Sequence, residues 1–466
     1  MNRNLIAALA AALCISSVSF LSCSDSESRH LARLGQARVI IDLGMPEEQA
    51  STGILDALRR VFVPDAIAQS APALFSSITV QVSGPDLIPI VRSFSQFGEI
   101  SMTVPAGSLR RFEVTANVAN VSLSAARSFR GVSIVGLPPG ATVSLPVVMS
   151  VYETKLVIPD LSNNRLYIMN SILDPTPVIL ETDALSNKVQ PTPSWWTDLS
   201  LPDPWFFNAT QEPITPFDID FDARGRIYFN SNYMSYTEDR IVFRIDNING
   251  DGLVPVATSP GTDILSLAID RKRNILYFGT YNNIMAVDLA THAQDPVPIA
   301  GNLPGISNMR GMMVDDDTGY LYVACNGDST YGVAKINPRD PEDLTGNIFA
   351  PLPGNPQFDE SFDVQIKWPF GYVTQFYSTS GSFQGVRQFR LSDMTYTGVS
   401  LSGVILPMPD SFNRPKRFIG KLNRGFIVMD DTNLFDTPDR LVGFLTMDGL
   451  AWYSYEGDGF QFYEIP

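Results

Sequence analysis

Asp218-Ile-Asp-Phe-Asp-Ala-Arg-Gly-Arg-Ile-Tyr-Phe229 decides the fold: a β-rich run closes on Asp222, turns through Arg and Gly, and resumes as an aromatic-rich run. The same pattern returns at Leu265-Ser-Leu-Ala-Ile-Asp-Arg-Lys-Arg-Asn-Ile-Leu-Tyr-Phe278 and at Gly311-Met-Met-Val-Asp-Asp-Asp-Thr-Gly-Tyr-Leu-Tyr-Val323. Two further copies end on Val373 and Val428, and an early one runs from Val157 to Tyr167. From the second copy onward the spacing is roughly 45–55 residues, the length of a four-stranded propeller blade. One blade cannot bury both faces of its sheet, so blades stack around an axis and the ring must close. The first copy has no evident innermost strand ahead of Val157. The chain end, Gly459-Phe-Gln-Phe-Tyr-Glu-Ile-Pro466, offers a spare strand that could complete a blade and lock the ring.

Upstream of the copies the period changes to two. Ile78–Val82, Ile100–Val104, Arg111–Ala116, Gly131–Val135 and Thr142–Val148 all alternate apolar and polar, as half-buried strands do. Arg38–Gly44 reads as another strand, Ile54–Val63 has helical spacing, and Pro105–Ser108 and Leu137–Ala141 read as turns. The expected class is all-β: a β-sandwich over 38–153, then a roughly six-bladed β-propeller over 154–466.

At 466 residues the chain exceeds one ordinary core, which agrees with two domains. A net charge of −16 with no offsetting basic stripe repels phosphate backbones and argues against nucleic acid as a partner. It leaves protein, glycan and small-molecule partners open.

Residues 1–22 carry a short basic start and an apolar Ala- and Leu-rich segment of signal-peptide length. The segment ends at Phe20-Leu-Ser-Cys23, before a Ser/Asp/Glu tract, with a tether expected over 23–37. This resembles a bacterial lipoprotein lipobox, which implies lipidation of Cys23 and an anchored place in the cell envelope, periplasmic or surface-exposed. Phe20 departs from the usual Leu or Val. With Cys14 in the signal and Cys23 acylated, Cys325 is the one thiol left in the folded part, a buried hydrophobe in a strand pattern.

Two more resemblances bear on the domains. Val104-Pro-Ala-Gly-Ser-Leu-Arg-Arg-Phe-Glu-Val114 is similar to stretches of Ig-like or transthyretin-like domains of bacterial surface proteins. Val157-Ile-Pro-Asp-Leu-Ser-Asn-Asn-Arg-Leu166 resembles the NHL repeat, and Ile275–Thr280 and Tyr322–Asn326 resemble the wider NHL, YVTN and SMP-30-like propeller group. That group hosts many unrelated functions.

Aligned on Asp222, Asp270, Asp315, Lys367 and Lys421, the copies place Thr215, Asp263, Asn308, Glu360 and Arg414 seven residues earlier, around one mouth of the channel. The SMP-30-like resemblance implies that Asp263, Asn308 and Glu360 could hold a divalent cation such as calcium through oxygen ligands. Polar residues lining any wet channel are the alternative. Asn247-Ile-Asn-Gly-Asp-Gly252 matches the first half of a calcium loop, but Thr258 stands where the bidentate Glu belongs, so a hairpin turn is expected.

An insertion carries Trp195, Trp196, Trp205, Phe206 and Phe207, aromatics suited to anchoring a protein, peptide or glycan, or to packing between domains. Catalytic groups are scarce: the only histidines are His30 and His292, and no nucleophile triad or zinc-type cluster is present. The sequence therefore points to an anchored envelope lipoprotein whose propeller binds or scaffolds another envelope protein, peptide or glycan, with no catalytic residues. The alternative is a divalent-metal-dependent lactonase or esterase-like hydrolase at the channel mouth.

Overall fold

The computed structural model describes residues 34–44, 75–95, 100–119, 124–160, 164–170, 178–182, 214, 216–231, 240–259, 262–289, 297–301, 307–326, 331–340, 348–351, 361–375 and 385–401. Beyond these it describes the backbone strands 415–418, 426–431, 440–446, 449–456 and 459–463. Every regular element among them is a strand. The chain divides into two compact units, one mainly of residues up to Ser150 and the other mainly from Val151 onward.

The first unit holds strands β1 (Gln36–Gly44), β2 (Phe75–Gly84), β3 (Leu87–Phe94), β4 (Ile100–Pro105), β5 (Gly107–Val118), β6 (Ala126–Leu137) and β7 (Thr142–Val148). Strand β8 (Ser150–Thr154) follows. They form a three-stranded sheet, β4-β1-β7, and a five-stranded sheet, β3-β2-β5-β6-β8. Alternation does what the sequence requires: Val39, Ile41, Val80, Val82, Phe112 and Val114 are buried while their chain neighbours face outward or lie half-buried. β3 was not legible in the sequence, because Pro89 interrupts its alternation; the strand lies at the sheet edge, where a missing N–H costs no ladder bond.

Ala106 alone carries the chain from β4 in one sheet to β5 in the other. Arg110 fixes that crossover. Its buried guanidinium donates through Nε to the Pro105 carbonyl (3.0 Å), through Nη2 to the Ala106 carbonyl (2.5 Å), and to both Asp86 oxygens. Gly107 lies so close to the guanidinium that a Cβ there would overlap it. The Arg110 hydrogen bond holds the Asp86 carboxyl below the usual carboxylate range.

The second unit is a succession of antiparallel sheets. The first comprises β9 (Leu156–Asp160), β10 (Arg165–Met169) and β11 (Val178–Glu181), and the second β12 (Pro216–Phe221), β13 (Ile227–Ser231), β14 (Arg240–Ile245) and β15 (Val254–Ser259). The third holds β16 (Ser266–Asp270), β17 (Ile275–Gly279), β18 (Asn283–Asp288) and β19 (Val297–Gly301). The fourth holds β20 (Met309–Val314), β21 (Leu321–Asn326), β22 (Tyr331–Ile336) and β23 (Ile348–Pro351). The fifth holds β24 (Ser361–Lys367), β25 (Phe370–Gln375), β26 (Gly385–Arg390) and β27 (Tyr396–Leu401). The last has five strands, β28 (Pro415–Phe418), β29 (Phe426–Asp431), β30 (Arg440–Thr446), β31 (Gly449–Glu456) and β32 (Gly459–Tyr463).

First strands of consecutive sheets are neighbours: β9 touches β12, β12 touches β16, β16 touches β20, and so on to β28. Among the described residues, four apolar clusters fill spaces between successive sheets. One joins Val157 and Leu166 to Phe221 and Phe229; the next joins Tyr228 and Val242 to Leu267 and Phe278. The third joins Tyr277 to Met312 and Val323, and the fourth Tyr322 to Val364 and Phe389. Each fully buried aromatic or aliphatic side chain contributes about 1.5–3 kcal/mol, so the stacked faces dominate stability. The architecture is propeller-like.

Two expectations about closure are corrected. β9 is itself the first strand of its sheet, since it lies against β12; what that sheet lacks among the described residues is a fourth, outer strand. The chain end does form a strand, but β32 pairs with β31 and widens the last sheet without completing the first. Sequence periodicity identified the spare strand and could not say which edge it would join.

Candidate functional site

β12 and β16 run parallel, since Asp218 and Asp220 of β12 accept the amides of Leu267 and Ile269 of β16 in step, both at 2.8 Å. β20 and β24 start at the same end, where Ser266 Oγ donates to the Met309 carbonyl (2.7 Å) and Ser361 Oγ to the Cys325 carbonyl. They therefore begin at one common end of the unit, called upstream here, and finish at the other. The two ends differ in construction.

At the downstream end each aligned acid caps a tight turn. Asp222 Oδ1 accepts the amides of Arg224 (3.0 Å) and Arg226 (2.9 Å), and Asp270 Oδ1 those of Lys272 (3.1 Å) and Arg273 (3.0 Å). Asp315 accepts the Asp317 amide (3.0 Å). Asp side chains satisfy turn amides in this way without help from water. Beneath them the Tyr228, Tyr277 and Tyr322 phenols are buried, which raises all three, Tyr277 to about 12. Arg271 crosses three sheets, donating to Asp220 at 2.8 Å and to Asp316 at 3.1 and 3.0 Å. These contacts account for the Asp222, Asp270 and Asp315 alignment as architecture. The bridging roles of Asp218, Asp220 and Arg271 were not visible in sequence; the alternate Asp-Ile-Asp of β12 was the available signal, since a doubly buried strand has no other reason to carry charge.

The upstream end holds the expected ring positions that the structure describes. Asp263 is 54% exposed, and its carboxylate accepts Arg240 Nε at 2.6 Å. Asn308 is 8% exposed and sits in the left-handed region with φ 52°, which Asn tolerates better than other non-glycine residues. Its amide donates to the Tyr281 carbonyl (2.5 Å), its carbonyl accepts the Asn326 amide (3.1 Å), and its buried Oδ1 has no partner among the described residues. Glu360, like Thr215 and Arg414, lies outside the described residues, as do Cys23, Trp195, Trp196, Trp205, Phe206, Phe207, His30 and His292. Among the described residues no group of three or more His, Cys, Asp or Glu is placed to hold a metal ion. For a divalent cation the fit is divided: Asn308 Oδ1 is an available oxygen, whereas the Asp263 carboxylate is already neutralised by Arg240.

The Asn247–Gly252 loop uses its oxygens internally. Asn247 Oδ1 accepts the amides of Asn249 (2.9 Å) and Asp251 (3.2 Å), and Asn247 Nδ2 donates to Asp251 Oδ2 (3.0 Å), as in a hairpin turn. Cys325 is free and buried in β21, and burial pushes its thiol up to about 12. We expect it to resist alkylation near pH 8 in the native protein and to react once the chain is unfolded, a contrast that mass spectrometry of iodoacetamide-treated samples reads directly. Rapid native modification would contradict its placement.

No family model matches the chain, and no curated protein matches it. Solved structures superpose on parts of it. A chain from a nidogen–laminin complex shares 10% identity over 52% of this chain and 80% of its own, with a TM-score of 0.38. A TolB candidate from Agrobacterium tumefaciens shares 13% over 54% and 84%, at 0.38. A structural-genomics protein of unknown function from Bacteroides thetaiotaomicron shares 11% over 76% and 88%, at 0.36. Scores this low carry no argument about function, and the fold rests on the strand order above.

Proposed function

We propose that the protein is a bacterial envelope lipoprotein, anchored through Cys23, in which a β-sandwich precedes a six-bladed propeller that serves as a non-catalytic binding platform. The observation that carries the reading is the contrast between the two ends of the inner strands. Downstream turns are short and closed on their own Asp side chains. Upstream, the inner strands are entered by the connections 260–265, 302–308, 352–360 and 402–414, lengths at which binding loops are commonly presented on a rigid scaffold. The lipobox resemblance at Phe20–Cys23 supports the anchor, and the Trp195–Phe207 segment supplies aromatic anchors for a protein, peptide or glycan.

The test has two arms. Cys23→Ser should move the protein from the membrane to the soluble fraction after cell lysis. Deleting 195–207 should remove the partner captured by cross-linking in intact cells while leaving the circular-dichroism spectrum unchanged. Persistence in the membrane fraction sinks the anchor; an unchanged set of captured partners sinks the platform. The unpartnered oxygen of Asn308 favours one second reading, a metal-dependent hydrolase, and lactone or ester turnover that disappears in Glu360→Ala would establish it instead.

A further inference from the structure

We infer that the downstream end carries a binding site of its own, a seat for one small oxyanion, formed where Arg273 and Arg339 meet over Gly319. Three turns build it: 270–274 after β16, 315–320 after β20 and 337–340 after β22. All three lie at the end opposite the long connections, so this site is distinct from the platform proposed above.

Gly319 has φ 76°, in the left-handed region, which closes its turn and leaves its Cα bare. A Cβ there would lie 2.7 Å from Arg273 Nη2 and 3.1 Å from Arg339 Nη2, so guanidiniums from two neighbouring sheets converge on one point. Like charges this close repel, and an anion beside them relieves the repulsion. The two arginines are held differently. Arg273 Nη1 lies 3.3 Å from Asp270 Oδ2 with the side chain 24% exposed, while Nη2 is buried and has no acceptor among the described residues. Arg339 is exposed; its amide donates to Asn337 Oδ1 at 3.2 Å, and its guanidinium is in no ion pair among the described residues. Arg273 therefore supplies a fixed positive charge, and Arg339 the donors that face solvent. The planar fork of a guanidinium matches two oxygens of a phosphate or carboxylate.

The acids of the same turns are engaged elsewhere. Asp270 and Asp315 cap their turns, and Asp315 Oδ2 also accepts the Thr318 hydroxyl at 2.6 Å. Asp316 takes Arg271, and Asp317 lies 3.8 Å from Lys272 Nζ. These acids do set the size of the ligand. Asp317 and Asp340 are exposed beside the pair, and the whole chain carries −16, which repels an extended polyanion. A single compact anion meets the guanidiniums at contact range, while salt screens the more distant acids.

The test is isothermal titration of the full chain with sodium phosphate, and separately with sodium acetate, at ionic strength held constant with chloride. At least one anion should bind saturably, and the tighter of the two identifies the head group. Arg339→Gln should weaken binding about tenfold or more, the range for losing hydrogen bonds to a charged group. Arg339→Lys keeps the charge and loses the fork, so its affinity should fall between the two. Arg273→Gln should weaken binding as well. Arg92→Gln, exposed in the first unit and equal in charge change, should leave it unchanged. Circular dichroism of each variant separates loss of binding from loss of fold; should Arg273→Gln not fold, the Arg339 variants carry the comparison.

Heats that never saturate with either anion overturn the inference. So does equal weakening by Arg92→Gln and Arg339→Gln, which would reduce the effect to net charge. Full affinity in a folded Arg273→Gln would make Arg339 a lone surface cation and overturn the shared site.

Discussion

Replacing Arg271 by alanine is expected to cost the propeller-like unit about 3–5 kcal/mol, the range for removing one partner of a buried ion pair. The reason lies in what is left behind. Arg271 and Asp220 meet at 2.8 Å with each side chain only 3% exposed. Asp220 also accepts the amides of Phe221 (2.7 Å) and Ile269 (2.8 Å), which hold it in place. Without the guanidinium that charge stays inside the protein, uncompensated. Asp316, the third member, is 41% exposed, so Asp316→Asn should cost no more than about 1 kcal/mol. In a double-mutant cycle, Asp220→Ala and Arg271→Ala should couple by about 0.5–3 kcal/mol. Urea unfolding followed by intrinsic fluorescence would measure it, and strictly additive single costs would show that the pair stabilises nothing jointly.

The second large effect is steric. A Cβ on Gly311 would overlap Asp363 Oδ1 and lie 2.5 Å from the Asp363 Cα, so β20 and β24 approach each other through a glycine. A side-chain tip could swing away, but the obstacle includes backbone of a buried strand. Gly311→Ala should therefore cost about 1–3 kcal/mol, and Gly311→Val more, as overpacking in a dense core does. Gly44, which has nothing within 4 Å of its Cβ position, provides the control, and Gly44→Ala should leave the urea midpoint where it is. Equal midpoints for both alanine variants would mean that the two strands can separate without penalty.

Much of this architecture was written in local patterns. Asp222, Asp270 and Asp315 align with one another because each closes a strand and caps the turn that follows, a role confined to a few consecutive residues. The half-buried strands of the first unit were equally local, since alternation needs only one sheet. What escaped were relations between sheets. Asp218 looks like any acid near a turn until Leu267 lies beside it, forty-nine residues on, and takes the other end of its hydrogen bond. Likewise Asp263 and Asn308 hold equivalent places in the repeat, yet one is a solvated ion-pair partner and the other a buried acceptor. That divergence depends on Arg240 and on the backbone of Asn308, neither of which enters an alignment. β32 was recognised as a strand, while its partner was a choice between two distant edges.

The outer strands of three successive sheets share one residue type. β15, β19 and β23 contain Pro255, Pro298 and Pro351, opposite Phe243, Met285 and Gly332 on the strands they flank. Each proline removes an amide from a rim that would otherwise offer a row of donors to any passing strand. The consequence concerns crowding. A chain with this many sheet rims could knit to its own copies wherever it is concentrated, and at these three rims the interruptions work against such pairing. A protein displayed in many copies on one surface would need that property before it needed a ligand.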